Sequence, residues 1–302
     1  MFPFTVLIKS RSNRIGIPRA LYFYTYPALW ETFFREIGAE PILSNPTDID
    51  TVERAVAVSE SEHCLPNKLF DAHVAELTES VDMVFVPRTI SMCKGYIACP
   101  KLGALPDAIS ADSSAQTDIL VVDINENKQS LEKSLWEVGR KLKAEASSIR
   151  QASQKALTVM RKRRMATQEQ VFVPAAPRFL VLGHPYVLLD PFISGGILKT
   201  LNRLVSNVEV MAFSEKMAPD SHILWCTSNK MFHKITGLHH DRYAGVIQIA
   251  VFNCGCDSMM IEIFRSVLKK KRIPYMVLIL DEHSAQAGLD TRLEAFIDSI
   301  GW

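Results

Sequence analysis

Short apolar runs alternate with longer amphipathic segments through most of this chain, and that alternation is the pattern of a parallel sheet covered by helices. In the first half, Arg14–Pro18, Pro41–Ser44, Met83–Pro87 and Ile119–Asp123 read as strands. Between them, Tyr26–Gly38 carries Leu29, Trp30, Phe33, Phe34 and Ile37 at helical spacing and closes on a glycine suited to a C-cap. Thr51–Val58 and Pro66–Glu79 continue as helices, with Pro66 in a first turn where its missing N–H costs nothing. From Asn125 to Gln170 the sequence turns polar and helix-forming, with Leu131, Leu135, Val138 and Leu142 as an apolar stripe. Its basic run Arg161-Lys162-Arg163-Arg164 reads as a solvated helix face and is assigned no function.

The Pro-rich stretch Pro174-Ala175-Ala176-Pro177 then restarts the alternation. Arg178–Gly183, Val208–Met211, Gly245–Phe252 and Tyr275–Leu280 are strands, and Phe192–Val205, Ser258–Arg272 and Thr291–Ile300 are helices. A length of 302 residues is about twice that of a usual domain. The expectation is therefore an α/β protein of two Rossmann-like lobes with parallel sheets, residues 1–124 and 174–302, joined by a helical linker over 125–173.

A formal net charge of +1 gives the protein no overall field for nucleic acid or an anionic membrane, so neither is expected as a partner. The apolar run at the N-terminus is too short for a signal peptide, and no stretch approaches the roughly 20 apolar residues of a spanning helix. Six cysteines without secretory features argue for reduced thiols and a cytoplasmic location.

In such sheets ligands bind beyond the carboxyl ends of the strands, and the reactive side chains fall there. Cys93 follows the strand ending at Pro87, Cys254 and Cys256 follow the one ending at Phe252, and Cys64 sits just before the helix opened by Pro66. His184 and the run Asp281-Glu282-His283 join the same rim. Cysteines flanking a glycine in Asn253-Cys254-Gly255-Cys256-Asp257, with Cys93 and Cys99 in a second loop, form a soft donor set that selects zinc or an iron–sulfur cluster. The spacings match neither paired zinc knuckles nor the short ferredoxin run, so they leave both open. Cys226, in Leu224-Trp225-Cys226-Thr227, reads as a small buried hydrophobe in a strand. A catalytic pairing of Cys64 with His63 is disfavoured because adjacent side chains seldom face each other, and no phosphate-binding glycine loop is present.

Ile15-Gly16-Ile17-Pro18-Arg19-Ala20-Leu21 followed by Tyr26-Pro27-Ala28-Leu29-Trp30-Glu31 resembles the N-terminal signature of the 2-hydroxyacyl-CoA dehydratase-related proteins, in the short branch associated with acyl-CoA dehydratase activases. Ser61–Lys68, Ala98–Asp107, His184-Pro185-Tyr186, Asp190-Pro191-Phe192, Cys254-Gly255 with Asp257-Ser258, and Asp281–Ser284 match further blocks in order. The resemblance implies a [4Fe-4S] cluster, or a double cubane, between the lobes, with Cys64, Cys99 and Cys254 as ligands and Cys93 and Cys256 as additional metal candidates. It implies His184, Glu282 and His283 as proton sources or hydrogen-bond donors around the cluster, the alternative for Glu282 and His283 being that they only cap and order their loop. It also implies an ATP-dependent activase as electron donor, a small-molecule substrate with acyl-CoA as the type known among relatives, and pairing into a homo- or heterodimer. A non-catalytic cluster carrier, a regulatory subunit, and a zinc-bound or metal-free binding protein on the same fold remain as alternatives.

Overall fold

The protein is described by a computed structural model covering residues 13–111, 118–166, 173, 176–211, 217–218 and 221–301. The expected N-terminal run Met1–Lys9, residues Thr167–Gln170 of the helical segment and Pro174-Ala175 of the Pro-rich stretch lie outside the described residues.

The first lobe runs β1 (Arg14–Ile17), α1 (Tyr22–Thr25), α2 (Leu29–Glu36), β2 (Glu40–Leu43), α3 (Ile49–Val58), α4 (Leu65–Leu77), β3 (Met83–Phe85), β4 (Arg88–Ser91), α5 (Pro100–Ala111), β5 (Asp118–Leu120) and β6 (Asp123–Asn125). Two helices follow, α6 (Leu131–Lys141) and α7 (Ala146–Ala166). The second lobe runs β7 (Arg178–Leu182), α8 (Pro185–Leu188), α9 (Pro191–Leu204), β8 (Val208–Val210), α10 (Cys226–Thr236), β9 (Tyr243–Val251), α11 (Gly255–Lys270), β10 (Tyr275–Leu280) and α12 (Gln286–Ser299).

Each lobe is built on a four-stranded, all-parallel sheet, ordered β2-β1-β3-β5 in the first and β8-β7-β9-β10 in the second. The strands of both sheets follow one order, in which the chain steps outward once and then crosses to the other side of its first strand. That crossing creates a topological switch point beyond β1 and β3 in one lobe and beyond β7 and β9 in the other. A short parallel pair, β4 with β6, extends the first lobe past its main sheet.

The core forms where the apolar stripes predict. Helix α2 buries Leu29, Trp30, Phe33 and Phe34, and Phe85 of β3 meets Trp30 at 4.5 Å and Phe34 at 5.2 Å between ring centroids. Each such side chain contributes about 1.5–3 kcal/mol through burial. Helix starts carry their caps: the Asp48 side chain accepts from the Thr51 N–H at 2.8 Å at α3, and Asp190 accepts from Phe192 and Ile193 N–H at α9. The helical segment lies on the first lobe instead of spanning freely between the two. Helix α7 packs along α2, Lys155 pairs with Glu36 at 2.7 Å, and Arg164 donates to the Thr25 carbonyl at 2.7 Å.

The lobes meet through buried polar contacts. Thr47 donates to Asp190 at 2.7 Å across the interface, and its hydroxyl lies 3.3 Å from His73 Nε2. His73 is fully buried, and burial, with Arg54 and Arg19 adding repulsion, lowers its pKa from 6.5 to about 4. A depressed histidine pKa favours the neutral ring, so the unfolded chain takes up the proton first and stability is lost as pH falls from 6.5 toward 4. The expected loss is about 2 kcal/mol by pH 5. Urea midpoints at pH 7 and 5 should show it, and a His73→Gln variant should lose this acid limb.

Candidate functional site

Four cysteines are free thiols: Cys64, Cys254 and Cys256 are buried and Cys99 is half-buried. They come from both lobes, each placed by a helix start. Cys64 is the N-cap of α4 with Pro66 in the first turn, Cys99 immediately precedes α5, and Cys254 caps α11, its sulfur accepting from the Asp257 N–H at 3.5 Å. Asn253 takes a left-handed φ of 58° to turn the chain out of β9 into that cap. Helix starts expose unpaired N–H groups, which favour a thiolate.

The thiols differ in acidity. A hydrogen bond shared with Cys256 lowers Cys99 to about 6, opposed by burial and aided by the Lys101 and Leu102 N–H groups and by His184. The same hydrogen bond, together with burial, pushes Cys256 up, so this pair keeps one proton on Cys256 and the thiolate on Cys99. Burial and the neighbouring Cys254 push Cys64 up to about 12, and its thiol faces Asn67 Oδ1 at 3.7 Å.

His184, at the end of β7, points into the same space. Its Nε2 stands 3.3 Å from Asp257 Oδ1, and burial disfavours its charge, but Asp257 and Cys254 outweigh that and hold its pKa well above the ordinary value. Donor atoms of His184, Cys254 and Asp257 all lie within 4.8 Å of one another. His184 Nε2 and Asp257 Oδ2 are nevertheless buried without a well-aligned hydrogen-bond partner. Leaving such groups unpaired costs about 1–3 kcal/mol each unless something else binds them. Soft thiolates, an imidazole and a carboxylate, two of them orphaned, are a donor set that fits a metal centre.

Several residues position this set. Gln248, a fully buried amide in the middle of β9, donates to Asp257 Oδ1 at 3.3 Å and accepts from the Tyr275 hydroxyl. Tyr186 stacks on His184 with centroids 5.0 Å apart. Burial raises its pKa, and the charges of Cys254, Cys64 and Cys99 reinforce the rise. Lys101 donates to the Glu62 carbonyl at 2.9 Å and the Asn253 carbonyl at 3.4 Å, tying the Cys64 loop to the Cys254 loop. Gly183 brings β7 close enough to seat His184: an added Cβ would meet Leu188 Cδ2 at 2.9 Å and the Ile249 carbonyl at 3.0 Å.

The other expected residues stand apart. Cys93 is bonded to Cys226, 133 residues away, so it offers no free thiol to the set, and the expectation of six reduced thiols gives way to four. Cys226 is buried as expected but opens α10 instead of lying in a strand. Glu282 reaches across to Lys68 at 2.5 Å, a pair whose side chains are 16% and 8% exposed. His283 is exposed, its N–H donating to Asp281 Oδ1 at 3.0 Å. His63 turns to Asp71 at 3.0 Å, away from a pairing with Cys64.

Sequence reasoning named neither Gln248, Lys101 nor Tyr186 as a site residue, although Lys101 and Tyr186 lie in the blocks Ala98–Asp107 and His184-Pro185-Tyr186 and Gln248 is a single polar residue inside the apolar run Val246–Phe252.

Residues 14–213 match the family model described as a CoA enzyme activase uncharacterised domain. No curated protein matches the chain. Among solved structures, a zinc-bound AdcAII variant of Streptococcus pneumoniae is 7% identical with a TM-score of 0.30, covering 96% of this chain and 98% of its own. The laminin binding protein of Streptococcus agalactiae, described as an adhesin with metal transporting activity, is 9% identical with a TM-score of 0.27, covering 95% and 98%. Likenesses this distant carry no argument about the present chain. No helix among the described residues is long and apolar enough to cross a membrane.

Proposed function

The chain belongs to the family of the CoA enzyme activase uncharacterised domain, and on that premise we propose that it is an iron–sulfur protein of the 2-hydroxyacyl-CoA dehydratase type. In this reading it accepts low-potential electrons from an ATP-dependent activase and passes them to a small-molecule substrate, an acyl-CoA thioester being the type its relatives suggest. The observation that carries the reading is that four free thiols from two lobes, Cys64 near Cys254 and Cys99 hydrogen-bonded to Cys256, stand with a buried imidazole and carboxylate of which His184 Nε2 and Asp257 Oδ2 lack an aligned partner. Cys64, Cys99 and Cys254 would hold the cluster, with Cys256 as a fourth thiol beside Cys99. Cys93 in its bonded form has no thiolate to offer. When bound, such a cluster supplies one-electron chemistry at low potential and, on three thiolates, an iron position without a protein ligand.

The chain's own groups would then do the rest. His184, kept protonated by Asp257 at its Nε2 and with Cys254 also against its ring, can hydrogen-bond a sulfur or release a proton toward a substrate. Tyr186 closes the site from one side, and Lys68 with Glu282 spans the two lobes at its edge.

Iron, zinc and acid-labile sulfide per chain, with an absorption spectrum on protein purified without oxygen, test this directly. About four irons with matching sulfide support a single cubane and about twice that a double one. A second reading, zinc on His184, Cys254 and Asp257 with one thiol more, rests on their mutual approach within 4.8 Å and suits the mixed ligands zinc accepts. One zinc and no sulfide would replace the redox role by a structural or binding one.

A further inference from the structure

A cavity of about 510 Å³ lies between the lobes, lined by Pro185 and by none of the four free thiols. Its walls come from the α1–α2 loop, α6 and α7 on one side and from α8, α9, β8 and α10 on the other. The volume lies within the range of small-molecule sites. Most of the lining is apolar, with Met92, Leu157, Met160, Leu188, Leu198 and Met211 forming its body.

The charged part of the lining carries more positive than negative groups: Arg161, Arg164 and Lys230 with Glu126 and Glu132. Arg161 is exposed and has no ion-pair partner among the described residues. Arg164 is fixed in place by its bond to the Thr25 carbonyl and by lying 5.5 Å over the Tyr26 ring. Tyr26 is 3% exposed, and its hydroxyl is buried without a hydrogen-bond partner. That hydroxyl is within electrostatic reach of both Arg164 and Glu126. An orphaned phenol beside a fixed guanidinium, both in the lining of a largely apolar cavity, has the chemistry that holds a ligand's polar head.

We infer that this cavity is a binding site for a small anionic amphiphile, a carboxylate with an apolar body, its head held by Arg164, Arg161 and the Tyr26 hydroxyl. The carboxylate would accept from the two guanidinium groups and the phenol, while the hydrocarbon displaces water from the methionine and leucine walls. The site is separate from the thiols, so it does not depend on whether they hold a metal. It also gives a use to the basic run at the end of α7, of which Arg161 and Arg164 face the cavity.

Calorimetric titration of the full chain with octanoate and with octanol tests this. Octanoate is expected to bind saturably at one site, and octanol about tenfold more weakly or worse, because it lacks the charge-assisted bonds. Arg164→Met and the exposed Arg161→Gln should each weaken octanoate by about tenfold, and Leu198→Trp, which fills the cavity, should abolish binding. Circular dichroism melts identify any variant that fails to fold, and Arg161→Gln, altered on an exposed side chain, keeps the test decisive if Arg164→Met does so. No saturable binding to the wild-type chain, equal affinity for octanol, or unchanged affinity in folded Arg161→Gln and Leu198→Trp variants would overturn the inference. The readout needs no bound iron, so it stands whichever way the metal analysis falls.

Discussion

Cys64→Ser, Cys99→Ser and Cys254→Ser are each expected to lose nearly all bound iron and sulfide, from about four irons per chain to about none, while Cys226→Ser keeps most of the metal. The contrast follows from where the sulfurs stand. The first three are free thiols at helix starts facing one space, whereas Cys226 is bonded to Cys93. Serine preserves size but is a hard oxygen donor that stays protonated, so it cannot replace a thiolate on a soft metal. Cys256→Ser reports on the fourth position: loss as complete as in the other three makes it a ligand, and retained iron leaves one iron without a protein thiolate. Iron and sulfide analysis of protein prepared without oxygen provides the measurement, and equal metal in all five variants would sink the ligand assignment.

The placement of Cys254 beside His184 was legible because it follows from topology. Strand β10 has the bounds its apolar run predicts, and Gly38 takes the positive φ of 85° expected of a C-cap. Once the strands are known to be parallel, the residues after each one must gather at one edge. That places His184 and Cys254 together at the switch point of β7 and β9. Elements with mixed signals were hidden. Strand β4 reads Arg88-Thr89-Ile90-Ser91, three polar residues of four and straight after Pro87, so no apolar run marks it. Helix α5 contains Pro106 and Gly103, and α10 opens on Cys226-Thr227-Ser228-Asn229, residues that locally prefer turns. Tertiary packing holds both as helices. Pairing between distant residues was beyond the sequence altogether: the Cys93–Cys226 bond spans 133 positions and the Lys101 bridge to Asn253 spans 152.

The Lys68–Glu282 pair gives the second large expected effect. These residues come from different lobes, 214 positions apart, and their charges meet with little access to solvent. Taking two ions out of water is repaid only while both are present, so Lys68→Met should leave an uncompensated carboxylate and cost about 3 kcal/mol. The double variant Lys68→Met with Glu282→Leu should recover most of that loss, since replacing both members of a buried pair is often neutral. Burial opposes ionisation of Glu282, but the hydrogen bond and charge of Lys68 prevail and its pKa is lowered. A depressed carboxyl contributes stability that is present above its unfolded value, near 4.3, and is lost as pH falls through its folded value. Urea unfolding of wild-type and variant chains at pH 7 and pH 4 separates the contributions: the gap between wild type and Lys68→Met should narrow at the lower pH. A gap that stays constant would mean that Lys68 acts through packing of its aliphatic stem. Lys68 also lies one turn along α4 from Cys64, so a pair that fastens the lobes here fixes the distance between the thiol of one lobe and those of the other. Lys68→Met should therefore lower iron content under conditions in which the chain remains folded, a loss that a purely global contribution to stability would not produce.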